Sequence, residues 1–215
     1  MAFLGDIEAS NIMLRAGGAN GLVQIALFTG VGDVNIGGQG ANGTINIADS
    51  NSHTRIVLDA ASGTIRTDGD IILSNADCAE DFDIVAAGAM EPGTVMVIDS
   101  EGALRQSEEA YDKRVAGVLS GAGGFRPGIT LDKQGPGGRP STGERRPIAL
   151  LGKVYCKVDA SYSPIGLGDL LTTSPTPGHA MRAVDPAKAF GSVLGKALRP
   201  WQEGHGMIPI LVALQ

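Results

Sequence analysis

The sequence predicts an all-β protein in two parts, a repetitive β-shaft over residues 1–76 and a compact β-rich head domain over residues 77–215. Three observations predict this fold class. Glycine is abundant, at 32 of 215 residues, while aromatic residues make up only 4%, and this balance favours short strands joined by tight turns. Apolar residues alternate with polar ones in runs bounded by Gly, Asn and Asp, as in strands. Apart from a short segment near "DPAKAFGS", no stretch sustains a helical repeat.

The first part of the chain consists of short alternating runs: "GLVQIALF", "GDVNIGG", "GTINIAD", "TRIVLDA", "GTIRTD" and "GDIIL". Such short rungs cannot bury their apolar faces alone, so stacked neighbours or partner chains must cover them. We therefore predict a shaft of the β-helix type or of the intertwined-trimer type. Six of its residues should point inward, either to the core of one chain or to the axis of a homotrimer: Ile36, Ile45, Ile47, Ile56, Leu58 and Ile65.

Where the two parts meet, the segment "DCAEDFD" places four carboxylates around a cysteine and a phenylalanine. In an extended strand Asp77, Asp81 and Asp83 share one face, and Glu80 lies on the other. Two acids in different environments can form an acid–base pair, because one of them keeps its proton. Asp77, Glu80 and Asp81 are therefore the candidate catalytic residues, although no catalytic role is assigned to them.

This acidic segment has three interpretations: a structural junction, a self-cleavage site or a metal site. The junction is favoured, and it predicts that Phe82 is a buried plug where shaft meets head. Its carboxylates should then accept hydrogen bonds from turn amides or pair with basic residues such as Lys113 or Arg114, because a buried acid needs a partner. The segment lacks the glycine and the spacing of an EF-hand loop, so no metal site is predicted.

The head reads as further strands, with core candidates at Val95, Val97, Val115, Val118, Leu150, Val154, Leu170, Leu171, Leu194, Ile210 and Val212. Residues 131–147 interrupt these strands with a flexible loop rich in glycine and proline. It carries four cations: Lys133, Arg139, Arg145 and Arg146. Long loops of this kind are often functional or disordered. The loop is either a solvated insertion or a basic finger that binds an anionic glycan or a neighbouring subunit.

Several classes of function are excluded by composition and pattern. The net charge of −6 gives no basic surface for nucleic acid, and no apolar run is long enough to span a bilayer. The N-terminus lacks the features of a signal peptide, which predicts synthesis in the cytoplasm and two free thiols. "GQGANG" precedes a strand-like run instead of a helix, so no dinucleotide or other cofactor is expected. The three histidines fall in turn-like contexts, and no Ser/His/Asp order is evident.

The order of these segments resembles the C-terminal region of phage tail-fibre and tail-spike-like proteins, in which a β-shaft ends in a compact β-domain. Asp77, Ala79, Glu80 and Phe82 match the opening motif of a domain similar to the peptidase G2 type, an intramolecular chaperone that cleaves itself from its shaft. The resemblance covers about 140 residues. It implies a homotrimer in a virion or phage-tail-like particle, with other tail or baseplate proteins as partners.

Three functions follow as hypotheses. The first is a structural and attachment protein, a trimeric fibre or spike tip that contacts a host surface or caps an assembly. The second is a self-cleaving chaperone domain that directs trimer assembly. The third is a module that binds a host surface glycan, which the scarcity of aromatic residues makes weaker because carbohydrate sites favour aromatic platforms.

Overall fold

The computed structural model describes residues 43–85, 90–133 and 144–213 and is built almost entirely of strands, which confirms the all-β fold class. The chain divides into two compact units, residues 1–71 and 72–215. The sequence places the boundary between shaft and head slightly later, at 76/77. No helix in the described part of the chain has the length and apolar character needed to cross a membrane.

In the first unit, three strands form an antiparallel sheet in the order β1-β2-β3: Thr44–Ala48, Thr54–Asp59 and Thr64–Thr67. The turn between β1 and β2 is held by Asp49, whose Oδ1 accepts hydrogen bonds from the amides of Asn51 and His53. The rungs of a β-helix would pair in parallel, whereas these three strands pair antiparallel with their sequence neighbours. The run "GDIIL", predicted as a strand, forms none, and the Ile72 side chain within it is 92% exposed.

One face of this sheet is apolar and largely exposed in the described part of the chain. The register places Ile45 opposite Leu58 and Leu58 opposite Ile65, and it places Ile47 opposite Ile56. Since opposite residues share a face of the sheet, these five residues form one surface, here called the apolar shaft face. Four of them are exposed, with Ile47 at 49% and Ile65 at 75%. Within the described residues they therefore do not form a buried core, and Ile36 lies outside these residues.

The second unit contains ten strands, all joined through a 16-residue strand, β9. Pairings lead from β9 through β13, β12, β10 and β11 back to β9, and from β9 through β7, β5, β6 and β4 back to β9. Two closed rings of strands thus share β9, and β8 adds to the outside of β4. The bounds are β4 Asp77–Ile84, β5 Val95–Ile98, β6 Leu104–Gln106, β7 Val115–Leu119, β8 Pro127–Leu131, β9 Glu144–Asp159, β10 Leu170–Thr173, β11 Ala180–Arg182, β12 Val193–Ala197 and β13 His205–Ala213.

Two apolar clusters fill this unit. The larger includes Val154, Leu194 and Ile210, and the smaller includes Met96 and Ile148. Eight of the predicted core residues are fully buried: Val95, Val97, Val118, Val154, Leu171, Leu194, Ile210 and Val212. Val115 and Leu150 are partly buried against the clusters.

Leu170 contradicts the core prediction, because its side chain is 36% exposed while that of Leu171 is fully buried. Adjacent residues of a strand point to opposite faces, so only one of the pair can enter the core. The short helix predicted near "DPAKAFGS" is confirmed as α1, Pro186–Ala189, which begins after the N-cap Asp185. Asp185 accepts a hydrogen bond from the amide of Ala187, as an N-cap should.

Candidate functional site

The acidic segment 77–84 forms strand β4, which lies inside the second unit between β9 on one side and β8 and β6 on the other. In its register with β9, Asp83 lies opposite Arg145, Phe82 opposite Arg146, and Glu80 opposite Ile148. Asp81 and Asp83 therefore share one face and Glu80 the other, which is the division the strand pattern predicts. A bulge separates Asp77 from this regular part of the ladder.

Arg145 contacts both Asp81 and Asp83, which share one face of β4. Its guanidinium donates to the backbone carbonyl of Asp81, lies 3.6 Å from the Asp83 carboxylate, and forms an ion pair with Asp132 just after β8. The Arg145 side chain is only 16% exposed. Its guanidinium is therefore engaged within the second unit, whereas the sequence predicts it as part of a basic finger that binds a glycan or a neighbouring subunit. Arg146 likewise donates to the carbonyl of Met90 at 2.6 Å.

The other two predicted binding cations have different positions. Lys133 is exposed at the end of a described range, and Arg139 lies among residues 134–143, outside the described part of the chain. Both ends of the predicted loop, residues 131–147, belong to strands, because β8 extends to Leu131 and β9 begins at Glu144. A binding role for these four cations stays a prediction.

Phe82 packs against the smaller apolar cluster of the second unit, beside Ile84 and Leu104. Its side chain is only partly buried there, whereas the junction hypothesis predicts a buried plug. The predicted partner of the acids, Arg114, is held elsewhere: it donates two side-chain hydrogen bonds to Asp112 and lies 3.6 Å from Glu109. The basic partner of Asp83 is Arg145 instead of the predicted Arg114. Arg145 lies on β9, and the register between β4 and β9 brings it opposite Asp83.

Asp77 differs from the other acids of β4. Its residue is 3% exposed, and neither carboxylate oxygen has a hydrogen-bond partner among the described residues. Burial raises the pKa of this carboxyl above its ordinary value, and the nearby Ser120 hydroxyl lowers the pKa by less. The Ser120 hydroxyl is also buried and forms no hydrogen bond of normal geometry in the described chain. Asp77 and Ser120 thus form a buried carboxyl–hydroxyl pair with unused hydrogen-bonding capacity.

Close backbone packing fixes the chain just before Asp77. The Ala76 amide donates to the Arg126 carbonyl at 3.0 Å. Gly152, with φ of +106°, lets β9 approach so closely that a Cβ would lie 2.7 Å from the Ala76 carbonyl oxygen. A cavity of about 440 Å³ opens beside this segment and is lined by Asn75, Ala76, Phe125, Arg126 and Lys153, among others.

The chemistry that this arrangement offers is limited to proton transfer and oxygen nucleophilicity. A carboxyl with a raised pKa can serve as a general acid, and a serine hydroxyl is a nucleophile class. Among the described residues, no group of three or more His, Cys, Asp or Glu side chains is arranged to hold a metal ion. Glu80 and Asp81, the other catalytic candidates, lie on opposite faces of the strand and do not converge with Asp77.

The cysteines do not contribute to this site. Both are free thiols: Cys156 is buried in the larger cluster, and Cys78 is half-buried. Burial raises the pKa of the Cys156 thiol far above its ordinary range, so the thiolate is not available as a nucleophile.

A second polar cluster, at the far end of β9, is absent from the sequence-based candidates. Asp159 is 2% exposed and accepts hydrogen bonds from the Thr176 hydroxyl, the Ser161 amide and the His205 ring. Burial opposes ionisation of Asp159, but these hydrogen bonds and the nearby His205 lower its pKa by more, to about 2. The ring of His179 lies beside that of His205. No spacing motif marks these residues, because the fold alone brings three separate turns together.

No family model matches the chain, and no curated protein matches it. Among solved structures, the chain is similar to pre-mature bacteriophage phi29 gene product 12, with 16% identity and a TM-score of 0.54, over 74% of this chain and 24% of that chain. It is also similar to the C-terminal fragment of that gene product, with 16% identity and a TM-score of 0.41, over 64% of this chain and all of the fragment. At this identity the likeness concerns the fold. The chain spans about a quarter of the length of the first structure.

Proposed function

We propose that this chain is a structural component of a bacteriophage tail or a phage-derived tail apparatus, in which three copies form a shaft that carries the second unit as a head. The fold likeness to bacteriophage phi29 gene product 12 supports the phage assignment. In this role the head contacts a host surface or caps the assembly, beside other tail or baseplate proteins. Binding of the full chain to a glycan array tests the host-surface role.

The apolar shaft face is the observation that carries this proposal. It places five apolar side chains on one side of a three-stranded sheet, whose other side carries Asn46, Val57 and Arg66 in register. A small sheet gains stability when its apolar side is covered. The apolar shaft face contains no charged residue, so an apolar partner surface suits it.

A second copy of the same face is such a partner, because each copy supplies the surface that the others need. Cyclic symmetry closes such an assembly. Three copies with their apolar faces turned to a common axis bury all three faces, and the edges of β1 and β3 then meet edges of neighbouring copies. Pairing of these edges also removes unpaired strand edges, which otherwise promote aggregation. A homotrimer is therefore the assembly that we propose.

The native mass of the full chain tests this assembly, with two variants of matched chemistry. Ile47→Asp places a charge on the apolar shaft face of every copy, which costs several kcal/mol on burial, and we expect it to dissociate the trimer. Val57→Asp makes the same kind of change on the other face, between Asn46 and Arg66, and should leave the trimer intact. A trimeric Ile47→Asp protein, or a monomeric wild type, would contradict the proposal.

A single self-cleavage before β4 is a second candidate function, and the buried Asp77–Ser120 pair favours it. The similar solved structure is named as a pre-mature form, which supports a processing step. In such a step the Ser120 oxygen would attack a peptide carbonyl, and the protonated Asp77 carboxyl would donate its proton to the leaving amide nitrogen. The Asp77 carboxylate so formed would accept the Ser120 hydroxyl proton, and water would then hydrolyse the ester to a carboxylic acid and restore the Ser120 hydroxyl. The resemblance to the peptidase G2 type implies the same outcome and stays a prediction.

Intact mass measurement of the purified full chain tests cleavage separately from assembly. A wild type with a break near Asp77, which Ser120→Ala abolishes, would support cleavage. Ser107→Ala is the matched control, because Ser107 is also buried without a hydroxyl partner among the described residues, and it should cleave as the wild type does. A single intact chain in the wild type would refute this second function and leave the trimer proposal untouched.

A further inference from the structure

Two histidines from separate segments lie side by side on the second unit. His179 precedes β11 in the turn after β10, and His205 is the first residue of β13. Their ring centroids are 4.9 Å apart, with an interplanar angle of 39°. The His205 side chain is 61% exposed, so the pair is open to solvent on at least one side.

Each ring has an oxygen acceptor on one of its two nitrogens. Nδ1 of His179 lies 2.8 Å from the Pro177 carbonyl oxygen, and Nε2 of His205 lies 3.1 Å from Oδ2 of Asp159. Carbonyl and carboxylate oxygens accept hydrogen bonds, so these partners assign the ring protons to Nδ1 of His179 and Nε2 of His205. In the neutral rings the remaining nitrogens, Nε2 of His179 and Nδ1 of His205, then carry free lone pairs.

The acceptor behind His205 is itself held in place. Asp159 is buried at the end of β9, and its carboxylate also accepts from the Thr176 hydroxyl and the Ser161 amide. A metal-binding histidine usually donates its second nitrogen to a carboxylate or a backbone carbonyl, which fixes the tautomer and the ring orientation. His205 has the first kind of partner and His179 has the second.

The spacing of the two rings also fits a shared ligand. With metal–nitrogen bonds of about 2.0–2.1 Å, a ring centroid lies about 3.2 Å from the metal. With Nε2 of His179 and Nδ1 of His205 both on one metal, the observed 4.9 Å corresponds to an angle of about 100° at the metal, close to the tetrahedral value. A stacking contact alone would not require an acceptor on each ring.

We propose that His179 and His205 form a two-imidazole site for a divalent transition metal of the Zn²⁺, Ni²⁺ and Cu²⁺ class. Imidazole nitrogen suits these metals, whereas Mg²⁺ and Ca²⁺ require oxygen ligands. Since no third His, Cys, Asp or Glu completes a cluster among the described residues, water fills the remaining positions. This proposal stands on the second unit alone and does not depend on the tail assignment.

Calorimetric titration of the full chain with ZnCl₂, NiCl₂ and CuCl₂ in turn tests the site. We expect binding that strengthens from Zn²⁺ to Cu²⁺ and no binding of Mg²⁺. His179→Gln and His205→Gln should each weaken Zn²⁺ binding at least tenfold. His53→Gln is the matched control, because His53 lies in the turn between β1 and β2, with Asp49 3.7 Å away and a side chain 74% exposed, and it should bind Zn²⁺ as the wild type does.

Thermal unfolding without metal shows whether each variant is folded. Among the described residues, the one hydrogen bond of the His179 ring is to the Pro177 carbonyl, so His179→Gln decides the question if His205→Gln fails to fold. Loss of Zn²⁺ binding in folded His179→Gln and His205→Gln proteins, with binding retained in His53→Gln, supports the site. A wild type that binds no Zn²⁺, or a folded His179→Gln protein of wild-type affinity, overturns it.

Discussion

Replacement of Asp77 by asparagine should stabilise the protein at neutral pH. Asp77 is 3% exposed, and both of its carboxylate oxygens lack a hydrogen-bond partner in the described chain. Asn has the same shape but no charge, so the variant removes the part of the burial cost that is due to ionisation. Leaving a buried polar group uncompensated costs about 1–3 kcal/mol, and more for a charged group. The Asn amide still leaves buried polar atoms without partners, so only the extra cost of the charge is removed, and we expect the free energy of unfolding to rise by about 1 kcal/mol at pH 7.

The sign of the pH dependence follows from the raised pKa of Asp77. The native state holds the Asp77 proton more tightly than the unfolded state does, so wild-type stability falls as the pH rises above about 4, the ordinary pKa of an aspartate. Below about pH 3 the carboxyl is protonated in both states, and the difference between wild type and Asp77→Asn should vanish. The gain should therefore develop as the pH rises above about 4 and persist at neutral pH.

Asp112 provides a matched control of opposite sign. It is also buried, but it accepts hydrogen bonds from the Arg114 backbone amide and guanidinium. Burial alone would raise the pKa of Asp112, and Arg114 lowers it by more, so the net pKa is below the ordinary value. Asp112→Asn should therefore lose about 1 kcal/mol at pH 7, a modest figure because Arg114 is half exposed. That loss should fade as the pH falls below about 4.

Differential scanning calorimetry at several pH values and one fixed protein concentration measures both variants. For a chain of this size each kcal/mol corresponds to a shift of about 2–4 °C in Tm. Fixed concentration matters, because assembly also contributes to stability. If Asp77→Asn were less stable than the wild type at pH 7, the carboxylate would have a stabilising partner and the argument from its isolation would fail.

Two further predictions concern the interior. Val154→Asp should abolish cooperative unfolding of the second unit, because the Val154 side chain is fully buried in the larger cluster. Leu151→Asp is the control on the same strand: its side chain is 60% exposed, so circular dichroism should still show a cooperative transition. Equal behaviour of the two variants would count against the described core. In the native protein, iodoacetamide should modify Cys78 faster than Cys156, whose thiol is buried with a raised pKa, and mass mapping of labelled peptides would show a reversed order if this burial is wrong.

Local pattern was sufficient to predict most strands of the second unit. Runs such as "VMVI" and "VAGVL" carry enough β-branched residues to form strands in almost any sheet, and they are β5 and β7. "GDIIL" has the same local character but no strand pairs with it in the described chain. A strand exists only when a neighbour satisfies its backbone groups, and the identity of the neighbour is not a local property.

The sites depend even more on pairing between distant segments. The pattern of β4 is sufficient to divide its acids between two faces, but it does not single out Asp77 as the buried acid whose carboxylate oxygens lack a hydrogen-bond partner among the described residues. Arg145 becomes the partner of Asp83 only through the register between β4 and β9. His179 and His205 meet only because both turns lie at the end of β9 that carries Asp159. Such proximities arise from the closure of the rings and have no signature in a single sequence.

The sharing of β9 by both rings has a mechanical consequence. Its first residues pair with β4 and its last residues with β13, so a tension applied along β9 loads both ladders at once. Antiparallel hydrogen bonds lie perpendicular to the strands, and a pull along the strand therefore strains many of them together instead of opening them one by one. We expect the second unit to rupture under an optical trap in a single step at high force. A unit with this property would transmit a pull along β9 without yielding between its two rings.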